Sequence, residues 1–230
     1  MPRLAGRGDD GHLALTFDDG PDPCSTPQIL DALDEVGWKA TFFMLGSMAA
    51  ASPGVAREVA ERGHEIALHG GTHHYHPIRR PRWVADDLKR GLEQVTQATG
   101  IRPRWLRPPY GVPSGATFLN ASSLGLEVVL WDAWGRDWRA EATAQSVVHD
   151  LLRGTRPGAT LLLHDSDCTS AHGSWKSTVA ALPILAQRIQ DMGMAVGPLG
   201  EHGIRARKWA AVTQRALGAG PAGGPAVPTR

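Results

Sequence analysis

The stretch Leu13-Ala-Leu-Thr-Phe-Asp18-Asp19-Gly20-Pro21 is an apolar run that ends in two adjacent carboxylates and a forced turn. As a purely structural device it is poor, because two like charges side by side repel and raise one pKa unless a cation or an arginine compensates. The chain supplies both. Further along, in Gly63-His64-Glu65-Ile66-Ala67-Leu68-His69-Gly70-Gly71-Thr72-His73, His69 and His73 stand four residues apart. That spacing puts both imidazoles on one face where the segment turns helically. With one carboxylate they make a two-histidine, one-carboxylate set, which leaves coordination positions open for water and substrate as a catalytic site requires. Zinc is the default metal for such a set, with iron, cobalt or nickel as alternatives. His64, His74 and His76 crowd the same stretch, and His74 or His76 is the alternative to His73.

The arginine stands in Leu106-Arg107-Pro108-Pro109-Tyr110-Gly111, where two prolines stiffen the backbone after a short apolar run. A further histidine closes Thr160-Leu161-Leu162-Leu163-His164-Asp165, again at the end of an apolar strand pattern. On these residues the chain resembles the polysaccharide deacetylase family, the NodB-homology group of carbohydrate esterase family 4, which removes acetyl from N-acetylglucosamine polymers and from xylan. The similarity runs from about Gly11 to Leu199. Its motifs match in order at Thr16 to Pro21, His69 to His73, Arg107 to Gly111, Asp137-Trp138, and Leu162 to His164.

The resemblance implies a division of roles. Asp19, His69 and His73 would bind one divalent metal, and Asp18 would be the base, oriented and kept ionised by Arg107. The backbone N–H of Tyr110 would meet the oxyanion. His164 would protonate the leaving amine, as an imidazole with a pKa near neutrality can. Asp137 would pair with Arg107 or the charge network around it, and Trp138 would wall the site. Tyr110, Trp134 and Trp175 complete the expected substrate contacts, with Trp131 beside them, since sugar rings stack on aromatic faces. Two positions depart from the family pattern: Gly70 follows His69 where a serine or threonine is common, and Trp134 stands where an aspartate is frequent. The polar loop Asp165 to Trp175 is the candidate specificity element, with Asp165 bracing it. Cys24 and Cys168 fall on strands that a closed barrel would make neighbours; they are read as reduced thiols, a disulfide being the alternative.

The activity implied is metal-dependent hydrolysis of an N-acetylated sugar or sugar-containing small molecule, with release of acetate. Hydrolysis of another amide, an ester or a cyclic amide is the alternative within the enzyme class. A carbohydrate-binding domain without turnover is the alternative outside it, and a base beside the metal ligands argues against that reading, since binding alone needs none.

Composition agrees: 230 residues with 42% apolar and 20% charged content suit a soluble globular chain. A formal net charge of +1 offers no long-range attraction to nucleic acid or an anionic membrane, so neither is expected as a partner, and no obligate protein partner is evident. Arg79, Arg80 and Arg82 read as a solvated loop. No apolar run of about 18 residues occurs, and the start Met-Pro-Arg-Leu-Ala-Gly-Arg lacks the apolar core of a signal peptide. A cytoplasmic location is therefore expected, which favours a small substrate over an intact wall polymer.

Strands alternate with amphipathic helices, the pattern of parallel-sheet α/β proteins. Strands are predicted near 12–18, 40–45, 65–69, 104–107, 126–131, 159–164 and 194–198, and helices near 25–36, 52–62, 82–99, 114–123, 142–153 and 176–192. Seven strand–helix units suffice for a barrel, and the resemblance implies a distorted (β/α)7 barrel of the NodB-homology type. Each chemical motif falls at the C-terminal end of a strand, where barrel active sites assemble. The catalytic domain is expected over residues 9–200. Residues 201–230 are left for a terminal helix near 204–217 and a Gly/Pro-rich tail with too little to bury.

Overall fold

A computed structural model describes residues 4–204 of the chain. Its strands are β1 (His12–Asp18), β2 (Thr41–Met44), β3 (Glu65–Leu68), β4 (Trp105–Leu106), β5 (Glu127–Val128), β6 (Ala133–Trp134), β7 (Thr160–His164) and β8 (Ala195–Gly197). Its α-helices are α1 (Thr26–Glu35), α2 (Gly46–Ala51), α3 (Pro53–Glu61), α4 (Pro81–Thr99), α5 (Gly115–Ser123), α6 (Ala144–Gly154) and α7 (Trp175–Asp191). The sheet runs β5-β4-β3-β2-β1-β7-β6, with β8 added to β1, and every pairing is parallel. This is a curled sheet of the expected distorted (β/α)7 kind.

β1 is an inner strand, paired with β2, β7 and β8, because its sequence can be buried on both faces, as an inner parallel strand must be. Leu13, Leu15 and Phe17 belong to the large core cluster between sheet and helices. Ala14 belongs to a smaller cluster inside the curl with Phe43, Ala67, Trp105 and Val129. The period of two therefore assigns odd residues of β1 to the helix layer and even residues to the interior. Helices meet the outer face with apolar residues at helical spacing, such as Val84, Leu88, Leu92 and Val95 of α4 and Leu182, Leu185 and Ile189 of α7. Each such side chain contributes about 1.5–3 kcal/mol through burial.

One strand assignment needs correction. The apolar run near 126–131 is not one strand: β5 ends at Val128 and β6 begins at Ala133, at opposite edges of the sheet. The linking residues satisfy their backbone elsewhere, Leu130 N–H donating to Leu4 O and Leu130 O accepting from Arg107. The short helix α2 was also not anticipated; it opens at Gly46, whose Cα side lies so close to Gly91 of α4 that an added Cβ would meet it at 2.5 Å. The expected terminal helix beyond Ile204 and the Gly/Pro-rich tail lie outside the described residues. Among the described residues no helix is long and apolar enough to cross a membrane.

Candidate active site

The interior parity of each strand, followed to its C-terminal end, arrives at a charged or polar group. β1 leads through Ala14 and Thr16 to Asp18, β3 through Ala67 to His69, β4 through Trp105 to Arg107, and β7 through Leu162 to His164. Asp18, His69 and Arg107 are buried to 3% exposure or less, so their charges must be satisfied by one another.

Arg107 supplies the fixed cation. Its Nη1 donates to Asp18 Oδ1 at 2.7 Å and to Thr16 Oγ1 at 2.8 Å, and its Nη2 donates to Leu130 O at 2.8 Å. The guanidinium lies 4.0 Å from the Phe43 ring centroid, so apolar walls hold the fork in place. The next residue breaks the strand alternation: Asp19 adopts φ +83°, and its carboxylate also reaches the site.

Asp19 Oδ1 is 3.3 Å from Nε2 of both His69 and His73. It is buried and without a hydrogen bond, as is His73 Nδ1. His69 Nδ1 lies 2.8 Å from Arg107 O, and an N–H donated to that carbonyl leaves the lone pair of Nε2 for a cation. One ligand atom from each of Asp19, His69 and His73 lies within 4.8 Å of the others. Burial would raise the Asp19 carboxyl, but the adjacent His69, with His164 and His73, holds it well below the usual carboxylate range. Burial and neighbouring His69 lower His73 to about 4, so its imidazole is neutral, the form a metal binds. A buried carboxylate oxygen without a donor, set between two imidazole nitrogens, fits a divalent metal.

The two histidines are not arranged on a helix, contrary to the simplest reading of their spacing. His69 follows β3, Gly70 turns at φ +100°, and the chain curves back through Gly71 and Thr72 to His73. The loop lacks a hydroxyl at Gly70, and Asp87 of α4 holds it. Its Oδ2 accepts from Gly71 N at 2.8 Å, and its Oδ1 accepts from Thr72 Oγ1 at 2.8 Å. Sequence reasoning missed Asp87, although a carboxylate on the buried stripe of Val84, Leu88 and Leu92 is a signal that can be read. His74 is exposed beside Trp83, and His76 is buried against Thr117, so neither replaces His73.

Asp137 was expected to pair with Arg107 or with the charge network around it; Arg107 is not its partner, and His164 is. Its Oδ1 is 2.8 Å from His164 Nδ1, while its Oδ2 accepts from His164 N at 2.8 Å and from Thr178 Oγ1 at 2.7 Å. Nη1 and Nη2 of Arg107 are already engaged, whereas the end of β7 lies within reach of the loop after β6. Burial opposes a charge on His164, but Asp137, assisted by Asp19 and Asp18, outweighs it and raises the pKa to about 9.

A cleft of about 350 Å³ opens over these groups, lined by Asp18, Asp19, His69, His73 and His164, with Tyr110, Trp131, Trp134 and Trp138 as aromatic walls and Thr169 at the edge. Tyr110 stands at φ +60° in the 3-10 turn Pro109–Gly111, with its ring 4.4 Å from that of His73. Trp175 is absent from the lining. The loop after β7 turns through Ser170 N to Asp167 O and Ala171 N to Trp138 O, so Thr169 and Ser170 face the cleft and Trp175 falls back to the start of α7 beside Lys176. Asp165 braces this corner, accepting from Gly20 N at 3.0 Å and Thr26 Oγ1 at 2.7 Å. Cys24 and Cys168 are free thiols.

Comparison with known proteins agrees with this geometry. Residues 5–129 match the profile of the family described as polysaccharide deacetylase. The chain is 36% identical over 193 residues to a chitooligosaccharide deacetylase of Bradyrhizobium, an alignment covering 80% of this chain and 87% of that one. It is 35% identical over 185 residues to a peptidoglycan-N-acetylglucosamine deacetylase of Bacillus cereus, covering 79% and 83% respectively. Among solved structures, the Bc1960 peptidoglycan N-acetylglucosamine deacetylase, in complex with a naphthyl N-hydroxybenzamide, superposes with a TM-score of 0.80 at 27% identity, covering 87% of this chain and 92% of the other.

Proposed function

The chain belongs to the polysaccharide deacetylase family, and from that premise we propose that it hydrolyses the N-acetyl group of an N-acetylated sugar, with a short oligosaccharide as substrate and zinc as the metal. The observation that carries this reading is the convergence of an Arg107-held carboxylate, an Asp-His-His ligand set and an Asp137-held imidazole on one aromatic-walled cleft.

Asp19, His69 and His73 would hold the metal; their mixed oxygen and nitrogen donors suit zinc. When bound, the metal supplies Lewis-acid polarisation of the amide carbonyl and an acidified water. Asp18 accepts the water proton, because the Arg107 guanidinium fixes one of its oxygens and leaves the other toward the cleft. The water oxygen forms a bond to the acetyl carbon, and the Tyr110 N–H is the proposed donor to the resulting oxyanion. The C–N bond then breaks. His164 gives its Nε2 proton to the departing sugar amine, since Nδ1 is committed to Asp137 and the raised pKa keeps the ring protonated at neutral pH. Acetate and the free amine leave. Trp131, Trp134 and Trp138 present indole faces on which a pyranose ring can stack.

The cleft lies at the lower end of the range of about 300–1,000 Å³ usual for small-ligand sites, which supports recognition of one sugar with its immediate neighbours. The named relatives act on chitooligosaccharides and peptidoglycan N-acetylglucosamine, and both chemistries present the same acetamide. The test is acetate release from N-acetylglucosamine oligomers of one to six units, with metal analysis of the same sample and a chelator control. Chelator-sensitive release with a preferred length is the expected outcome. Metal bound without release from any oligomer would instead point to a different amide or an ester.

A further inference from the structure

The two oxygens of Asp19 differ in surroundings. Oδ1 is buried, lacks a hydrogen bond and sits between the two imidazoles. Oδ2 accepts a hydrogen bond from Thr169 Oγ1 at 2.7 Å. A hydroxyl has one proton to give, so this contact fixes the rotation of the carboxylate and occupies the second oxygen. The donor comes from the loop between β7 and α7, remote in sequence from the ligand it touches.

The same loop also holds the Asp19 backbone. Asp19 is in the left-handed region, which a residue with a Cβ keeps only when its surroundings enforce it. Cys168 Sγ lies 3.7 Å from Asp19 O, and Asp165 Oδ1 takes the N–H of Gly20 at 3.0 Å. Carboxylate and main chain are thus gripped from one segment, residues 165–169.

We propose that Thr169 is a positioning residue of the metal site: its hydroxyl commits Asp19 to ligation through Oδ1 alone and aims that oxygen at the point shared with His69 and His73. The inference rests on the reading of Asp19, His69 and His73 as metal ligands. It makes the loop after β7 part of the metal centre as well as a wall of the cleft. The partners that orient metal ligands are commonly worth about 10- to 100-fold in metal affinity.

The loop does not depend on this hydroxyl for its own shape. Ala171 N donates to Trp138 O at 3.0 Å, Ser170 N to Asp167 O at 3.0 Å, and Cys168 N to Ser166 Oγ at 3.1 Å. Thr169→Val keeps the side-chain volume and removes the donor, and Thr169→Ser keeps the donor and removes the methyl group. The experiment titrates zinc into the metal-free wild type and both variants in competition with a chromophoric chelator, and records the thermal midpoint of each metal-free protein. The inference expects the Val variant to bind zinc about 10- to 100-fold more weakly, the Ser variant to stay within about threefold of wild type, and the metal-free midpoints to agree. Wild-type affinity in the Val variant overturns it, as does equal weakening in the Ser variant. If the Val variant is itself destabilised, the Ser variant decides: retained affinity supports the hydroxyl and lost affinity refutes it. A wild type that binds no zinc removes the metal reading and this inference together, an outcome distinct from either variant result.

Discussion

Asp18 continues the interior column of β1 and gives one oxygen to Arg107, whereas Asp19 leaves the strand at φ +83° and offers a bare oxygen to two imidazoles. Two identical side chains are thereby separated by their partners: one faces a permanent cation, the other a place for an exchangeable one. If Asp18 takes the water proton, Asp18→Asn retains its metal at wild-type stoichiometry and loses turnover by about 10²–10⁴-fold, the usual worth of a positioned base. Acetate release and metal content measured on one sample check this, and near-normal turnover in the metal-replete variant removes the base assignment. His164 carries the second prediction. If its charged form is the working acid, activity falls as pH rises through its pKa, which burial lowers and Asp137 raises to a net value of about 9. Asp137→Asn removes the leading cause of the rise and moves the alkaline limb of kcat/KM to lower pH. Rate profiles of the two proteins decide, and an unmoved limb assigns that titration to another group.

At the scale of elements, the sequence showed what is local and hid what is not. β1, β3, β7 and six of the helices were legible because apolar period and glycine punctuation lie within each segment. The ends of β1, β4 and β7 placed Asp18, Arg107 and His164 in advance, since a strand end needs no knowledge of its neighbour. The partner of Asp137 did need it: only the pairing of β6 with β7 shows that Asp137 reaches His164 and not Arg107. Trp175 misled for the same reason, because the turn that hides it depends on Trp138 from another loop. The run near 126–131 looked continuous because its carbonyl debt to Arg107 is a tertiary fact. His64 illustrates how such a fact acts on stability. It precedes β3 and its Nδ1 accepts Ala40 N just before β2, a bond that requires the neutral ring. Burial, with Lys39, lowers its pKa to about 4. The unfolded chain takes up this proton near the ordinary histidine value, the folded one only near 4, so stability is lost as pH falls between those two values and is level above them. His64→Gln keeps an acceptor without the titration, and the dependence of its thermal midpoint on pH across that window is expected to be shallower than in wild type. An unchanged slope would place the titration on other buried histidines.

At the scale of the molecule, β5 and β6 lie at opposite ends of the strand order, yet the chain passes between them directly, and Leu130 in that link accepts from Arg107. The link thus ties both edges of the curled sheet to the arginine that orients Asp18. The proposed ligand set is equally distributed: Asp19 follows β1, His69 follows β3, and His73 is reached through a loop held by Asp87 of α4. No single element contains the site, so an unfolded chain cannot hold the metal as the folded one does, and binding must stabilise the whole fold by mass action. If zinc is the metal of this site, free zinc at about 100 times its Kd adds about 2.7 kcal/mol, which for a domain of this size raises Tm by roughly 5–11 °C. Stripping the metal with a chelator should reverse that increment, and re-addition should restore it. His73→Ala separates binding from general effects of the ion, since it removes a partly exposed ligand whose Nδ1 has no hydrogen bond to lose. Its metal-free midpoint should stay near that of metal-free wild type while the zinc-dependent rise disappears. A rise that survives in His73→Ala would mean that zinc stabilises the protein from somewhere other than the cluster at the ends of β1 and β3.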